Sequence, residues 1–150
     1  MEDAGNDIGR LAISYFTGGF NCAESVLKAL CQELKPDCKN CVRIATPFGG
    51  GIAGKGHLCG AVTGAVIAVG LCMGRTTPTG DKSQCDKVAR RFIDEFIKEF
   101  HTVSCRDIIG VDLLSDEGRK KHKEHLRDEK CCSVVEFAAE KMYNLIESMR

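Results

Sequence analysis

The feature that most constrains the fold is an uncharged stretch of sixteen residues that follows a glycine-rich loop. Residues 58–73 carry no charged side chain, whereas every other long segment is charged on at least one face. A helix that is apolar all round is enclosed by protein or by lipid, and sixteen residues fall short of the roughly twenty that cross a membrane. The sequence therefore predicts a buried central helix.

Small residues recur along one side of this predicted helix. They are spaced four apart and so form one ridge, at Gly56, Gly60, Gly64, Ala68 and Cys72. Glycine lowers helix propensity, so packing must compensate for its presence. The ridge therefore predicts a close contact with the backbone of a neighbouring helix.

Four further segments repeat apolar residues at helical spacing, within residues 8–16, 22–34, 85–100 and 131–149. No segment shows the alternation that is typical of a strand. A chain of 150 residues with 43% hydrophobic content can bury one core but hardly two. We therefore expect an all-α, single-domain helical bundle over residues 1–150, built around the Gly/Ala-rich central helix.

Composition excludes several classes of partner. The 21 basic and 21 acidic side chains cancel, so the chain lacks the charge that nucleic acids and anionic membranes attract. Residues 1–5 are acidic and lack the pattern of a signal peptide, which favours the cytoplasm, where thiols stay reduced. Ten cysteines in such a chain indicate metal binding or redox chemistry rather than a disulfide framework. The composition does not determine the oligomeric state, and it allows a homo-oligomer.

The glycine-rich loop at residues 49–56 matches parts of two nucleotide-binding motifs, but its context argues against both. Gly56 stands where a phosphate-binding P-loop needs serine or threonine. A dinucleotide-binding loop follows a strand and has an acidic residue about twenty positions further on. Neither is present, so we do not expect a nucleotide site.

Four of the predicted helices carry a cysteine in their first turn. Asn21 and Glu24 form a capping-box pattern, Ser104 is a candidate N-cap, and Asp128 is available to cap the closing helix. The cysteines at these helix starts are Cys22, Cys59, Cys105 and either Cys131 or Cys132. Unpaired N–H groups and the helix dipole favour a thiolate at such positions, which predicts a reactive, low-pKa Cys59. The alternative is a set of unrelated buried thiols.

Two other patterns could carry chemistry. Cys38-Lys39-Asn40-Cys41 is a CxxC of the kind found in thioredoxin-like proteins and zinc sites, but neither the βαβ unit nor a second CxxC accompanies it. Two ordinary thiols at a helix start explain it equally simply. His122 and His125 have a spacing that can bind metal, yet they lie among charged residues, which favours a solvated helix face.

Four motifs and a late cysteine are spread over most of the chain. The motifs are Asn21-Cys22-Ala23, Gly49-Gly50-Gly51-Ile52, Cys59-Gly60-Ala61-Val62-Thr63-Gly64 and Cys105-Arg106. Together they resemble the C_GCAxxG_C_C family. The family is described as redox-active and has four characteristic cysteines. The resemblance therefore implies a site at Cys22, Cys59, Cys105 and Cys131, with the Cys131-Cys132 doublet leaving the last choice open.

The resemblance and the helix-start cysteines lead to three functional hypotheses. Four thiolates could hold an iron–sulfur cluster that transfers electrons to a redox partner protein. Without a cluster, Cys59 would attack as the thiolate in dithiol exchange and Cys22 would resolve the mixed disulfide, so the protein would be a thiol oxidoreductase. The third hypothesis is a non-enzymatic module in which the same four cysteines hold structural zinc.

Overall fold

The computed structural model describes the backbone of residues 2–150 and the side chains of residues 4–150. The α-helices are α1 (Glu2–Thr17), α2 (Cys22–Leu34), α3 (Cys41–Ala45), α4 (Gly60–Met73), α5 (Ser83–Phe100), α6 (Cys105–Ile109), α7 (Asp116–Lys121) and α8 (Cys132–Glu147). A 3₁₀ turn spans Thr46–Phe48, and a π-helical segment, His122–Cys131, joins α7 to α8. Over residues 2–150 the only β pairing is a bridge between Leu58 and Ser104. The predicted all-α, single-domain fold is confirmed.

Two helix starts, those of α2 and α6, follow the predicted capping signals. The Asn21 side chain accepts a hydrogen bond from the Glu24 N–H (2.8 Å), and the Glu24 carboxylate accepts one from the Asn21 N–H (2.9 Å). Ser104 likewise accepts a hydrogen bond from the Asp107 N–H at 3.3 Å. Each cap satisfies N–H groups that have no partner within the helix, and each places a cysteine at the first helical position.

The core forms where α2, α5 and α8 pack against α4, and α1 covers the other side of α2 and α8. The largest side chains that are fully buried come from all of these helices and include Ile8, Leu30, Val62, Phe96 and Met142. Burying each such apolar side chain contributes roughly 1.5–3 kcal/mol. The predicted bundle around the central helix is therefore present.

The glycine ridge of α4 lies against α2. A Cβ atom on Gly64 would stand 2.6 Å from the carbonyl oxygen of Ala23, and one on Gly60 would collide with the sulfur of Cys22. The prediction of a close backbone contact is thus confirmed at these two glycines. Burial of α4 is less complete than expected, because Val66 and Ile67 are half-buried and Gly70 is exposed.

The charged segment before α8 differs from the prediction. We expected the closing helix to begin near Cys131 with Asp128 as its cap, which is wrong. The helix instead begins at Asp116, where the Ser115 side chain accepts a hydrogen bond from the Gly118 N–H at 2.9 Å. It continues through the π-helical segment into α8, so Cys131 and Asp128 lie inside a continuous helix and not at its start.

In the part of the chain that the structure describes, no helix is both long enough and apolar enough to cross a membrane. The most apolar helix, α4, has 14 residues, fewer than the roughly twenty that span a hydrocarbon core.

Candidate functional site

Four cysteines from separate parts of the chain line one cavity of about 290 Å³. They are Cys22, Cys59, Cys105 and Cys131, the four that the resemblance implied, and Cys132 is not among the lining residues. Much of the wall between them is apolar and is formed by Phe16, Ile108, Ile109, Leu113 and Val134. Cys59 and Cys105 are only 6% and 7% exposed. The fold therefore gathers these thiols around a cavity with a mainly apolar lining.

Cys22 is placed by the start of α2 and by the ridge of α4. The backbone N–H groups of Ala23, Gly50 and Gly60 interact with its sulfur and favour the thiolate. Gly60 must be glycine for this approach, because a Cβ atom there would clash with the Cys22 sulfur. The close packing of α2 on α4 thus serves the site as well as the core.

Cys59 and Cys105 are tied together by the backbone. The Cys59 N–H donates to the Val103 carbonyl at 2.8 Å, and the Cys105 N–H donates to the His57 carbonyl at 2.7 Å. Cys59 also lies at the N-terminus of α4, where the N–H groups of Ala61 and Val62 favour its thiolate. Two segments that are distant in sequence therefore hold these cysteines side by side.

The glycine-rich loop forms an uncommon left-handed turn beside the cavity. Residues 50–54 all have φ between 50° and 77°, including the non-glycine residues Ile52 and Ala53. Left-handed backbone costs about 1–2 kcal/mol for each residue with a side chain. Gly51 packs so closely that a Cβ atom there would lie 2.7 Å from Cβ of Cys105. Strained backbone of this kind is typical of functional sites.

Cys131 lies at the end of the π-helical segment, which also supplies two polar side chains to the cavity. His122 Nε2 is 3.4 Å from the Cys131 sulfur. The Arg127 guanidinium donates to the carbonyls of Phe16 (2.6 Å) and Phe20 (2.9 Å) and lies 3.7 Å from the centre of the Phe16 ring. Arg127 thereby fixes a positive charge beside the thiols, where it favours the thiolate of Cys131.

The sequence pattern missed Arg127 and placed His122 on a solvated helix face, which is wrong because His122 is half-buried and lines the cavity. Nine residues separate His122 from Cys131, which is about two and a half turns of an α-helix and would place them on opposite faces. The wider hydrogen-bonding step of the π-helix brings them to the same side. No local pattern in a run of charged residues distinguishes the two geometries.

We expected Cys59 to have a low pKa, which is wrong for the protein without a bound metal. Burial raises the pKa of Cys59 well above its ordinary value, and the neighbouring Cys22 and Cys105 raise it further. Burial likewise raises the pKa of Cys22, that of Cys105 to about 11 and that of Cys131 to about 12. The loss of water therefore outweighs the N–H groups at the helix starts.

Across the described side chains, residues 4–150, no group of three or more His, Cys, Asp or Glu is arranged to hold a single metal ion. All ten cysteines are free thiols. The four cysteines thus surround a cavity and do not converge on one point. This arrangement is unlike a mononuclear zinc site, whose four ligands meet at about 2.0–2.3 Å from the metal.

The fold and the site define a small helical protein with a buried four-cysteine centre. The chain belongs to the C_GCAxxG_C_C family, described as "Putative redox-active protein (C_GCAxxG_C_C)", which matches residues 20–145. A protein of Archaeoglobus fulgidus named "Uncharacterized protein" is 31% identical over 155 residues, covering 93% of each chain. No solved structure matches this chain.

Proposed function

We propose that Cys22, Cys59, Cys105 and Cys131 bind an iron–sulfur cluster and that the protein transfers electrons to or from a redox partner protein. The observation that carries this proposal is the single cavity lined by all four thiols. Four cysteine thiolates are the usual ligand set of both [2Fe–2S] and [4Fe–4S] clusters. A cluster when bound supplies one-electron transfer without moving the protein.

The arrangement of the thiols favours a cluster over a single zinc ion. A cluster distributes its four thiolates over several iron atoms, so the sulfurs need to line a cavity and not to meet at one point. The described residues offer the first arrangement and not the second. Structural zinc at these four cysteines is therefore the less supported hypothesis.

The protonation of the thiols favours a cluster over cluster-free dithiol exchange. Exchange begins when an accessible thiolate attacks the disulfide, yet burial raises the pKa of all four thiols, so none of them is suited to be the attacking sulfur. Metal coordination, in contrast, deprotonates a thiol even where burial opposes it. The small exposure of Cys59 also limits the access that an attacking thiol needs.

The surrounding residues have roles that suit a negatively charged centre. The N–H groups of Gly50 and Gly60 stabilise the thiolate of Cys22, and hydrogen bonds to ligand sulfurs raise or lower the potential of such a centre. Arg127 offsets part of the negative charge of the thiolates. Phe16 and Val134 belong to the apolar wall that limits the entry of water.

Anaerobic reconstitution tests the proposal. The protein is incubated with iron and sulfide, and its visible spectrum and its iron, sulfide and zinc contents are then measured. We expect a coloured protein that bleaches on reduction, and we expect Ser variants at Cys22, Cys59, Cys105 and Cys131 each to lose most of the iron and sulfide. Cys72→Ser and Cys132→Ser are the controls and should keep both.

Two outcomes would overturn the proposal. Full iron and sulfide content in Cys59→Ser would show that the cavity is not the ligand set. A colourless protein that retains one zinc ion, lost on substitution of the same four cysteines, would favour the structural-zinc hypothesis instead.

A further inference from the structure

A second group of cysteines lies outside the four-cysteine cavity, at the junction of α2 and α3. Cys31, Cys38 and Cys41 line an open surface cavity of about 630 Å³, a volume in the range of small-molecule sites. The Cys41 thiol interacts with the thiols of both Cys31 and Cys38 and donates a hydrogen bond to the Cys38 carbonyl at 3.2 Å. The thiol of Cys31, which lies in α2, joins the CxxC pair only through the tertiary structure.

The chemistry of this group is that of a dithiol. Three thiols could in principle bind a soft metal ion, but among residues 4–150 no three such donors are arranged around one ion. Cys38 and Cys41 are instead three residues apart across one turn, and the Cys41 sulfur lies 3.2 Å from the Cys38 carbonyl oxygen, which places the two residues close together. Cys38 is half-buried at the surface, whereas Cys41 is 7% exposed. The more accessible Cys38 is therefore the sulfur that a soluble disulfide can reach first.

Cys31 supports the second sulfur. Burial and the neighbouring Cys38 thiol raise the pKa of Cys41, and the nearby Cys31 thiol lowers it. The Cys31 thiol can therefore stabilise the Cys41 thiolate when that thiolate forms. Cys31 is accordingly a positioning residue rather than a partner in the reaction.

The charges around the cavity indicate which disulfide it would accept. Lys28, Lys39 and Arg43 line it, and none of the described lining residues carries a carboxylate. Cations at the rim attract carboxylate groups and raise their local concentration. We propose that Cys38 and Cys41 form a second redox site, which exchanges with a carboxylate-bearing disulfide of low molecular weight.

The reaction balances as two thiol–disulfide exchanges. The Cys38 thiolate attacks one sulfur of the small disulfide, a mixed disulfide forms at Cys38, and the first small thiolate leaves and takes up a proton. The Cys41 thiolate then attacks the Cys38 sulfur, which releases the second small thiolate and leaves a Cys38–Cys41 disulfide. Two electrons pass from the cysteine pair to the small disulfide, which ends as two thiols.

Oxidation of the full-length reduced protein with glutathione disulfide tests this site. Samples are quenched with iodoacetamide and digested with trypsin. Trypsin gives one peptide with both Cys31 and Cys38 and another with Cys41. A disulfide to Cys41 therefore appears as a linked peptide pair, and the fragment spectrum of that pair shows whether Cys38 or Cys31 carries the bond and which of the two is alkylated. We expect this pair in the wild type, a glutathione adduct at Cys38 in Cys41→Ser, and oxidation at this site slowed about tenfold or more in Cys38→Ser. Cys85→Ser is the control and should behave as the wild type.

The charge requirement has its own test. Exchanging Lys39 and Arg43 for glutamate should slow the reaction with glutathione disulfide about tenfold at low salt, while the reaction with uncharged hydroxyethyl disulfide stays unchanged. Equal slowing of both reagents would overturn the role of charge. A Cys31–Cys41 disulfide in the wild type, or oxidation of Cys38 no faster than that of Cys85, would overturn the site. The peptides measured contain none of the four cavity cysteines, so this test is separate from that of the proposed function.

Discussion

Replacing Gly64 with alanine tests the contact that holds the central helix against α2. The added methyl carbon would stand 2.6 Å from the Ala23 carbonyl oxygen and 3.2 Å from its Cα atom. Carbon–oxygen contacts in proteins are rarely closer than about 3.3 Å, so the two helices must separate by several tenths of an ångström. The neighbouring atoms belong to a helix backbone, so no side-chain rotation can relieve the clash.

The magnitude follows from two opposing effects. Overpacking a tight contact costs about 1–3 kcal/mol, whereas exchanging glycine for alanine in a helix gains up to about 1 kcal/mol. Gly70 lies in the same helix, and a Cβ atom there meets nothing within 4 Å. Gly70→Ala therefore shows only the gain in helix propensity. The difference between the two variants is then the cost of overpacking, and we expect Gly64→Ala to be less stable than Gly70→Ala by about 1–3 kcal/mol.

Denaturant unfolding of the two variants beside the wild type measures this difference. The slopes must agree for the midpoints to be compared as stabilities. In a domain of this size the expected gap corresponds to roughly 2–4 °C in melting temperature for each kcal/mol. Equal stability of the two alanine variants would refute the close contact between Gly64 and α2.

Three further predictions concern the cavity. Gly51→Ala should destabilise the protein more than the control Gly110→Ala and should lower its iron content. Both glycines have positive φ, but only at Gly51 would the added methyl group clash with Cys105. Unfolding midpoints and iron content measure the two effects. Arg127→Met should cost about 2 kcal/mol, because two carbonyls lose a charged donor; an unchanged unfolding midpoint would contradict it. Burial raises the pKa of Cys105 from 9.0 to about 11, so the folded metal-free protein keeps a proton that the unfolded chain loses. Its stability should therefore be complete below about pH 9 and fall as the pH rises towards 11, a trend that Cys105→Ala should weaken in denaturant titrations.

Local sequence patterns were sufficient for the long apolar helices, and the family motifs were sufficient for the four candidate cysteines. Apolar spacing located the long helices, and the Asn21 and Ser104 caps located two of their starts because both signals depend on neighbours three or four positions away. The four-spaced glycines indicated a close helix contact because only a residue without a side chain allows it. The family motifs selected the four cysteines that line one cavity.

The sequence by itself determined the long apolar helices, and its family motifs selected four cysteines. The tertiary structure decided that these four thiols line one cavity and how they behave there. Burial of Cys59 depends on segments far away in the chain, so the loss of water that raises its pKa is absent from any local pattern. The π-helical segment, which turns His122 and Arg127 towards the cavity, is stabilised by contacts such as those of Arg127 with the end of α1. Cys31 joins the CxxC only because α2 ends beside α3. Periodicity reports on neighbours along the chain, whereas desolvation and charge depend on neighbours in space.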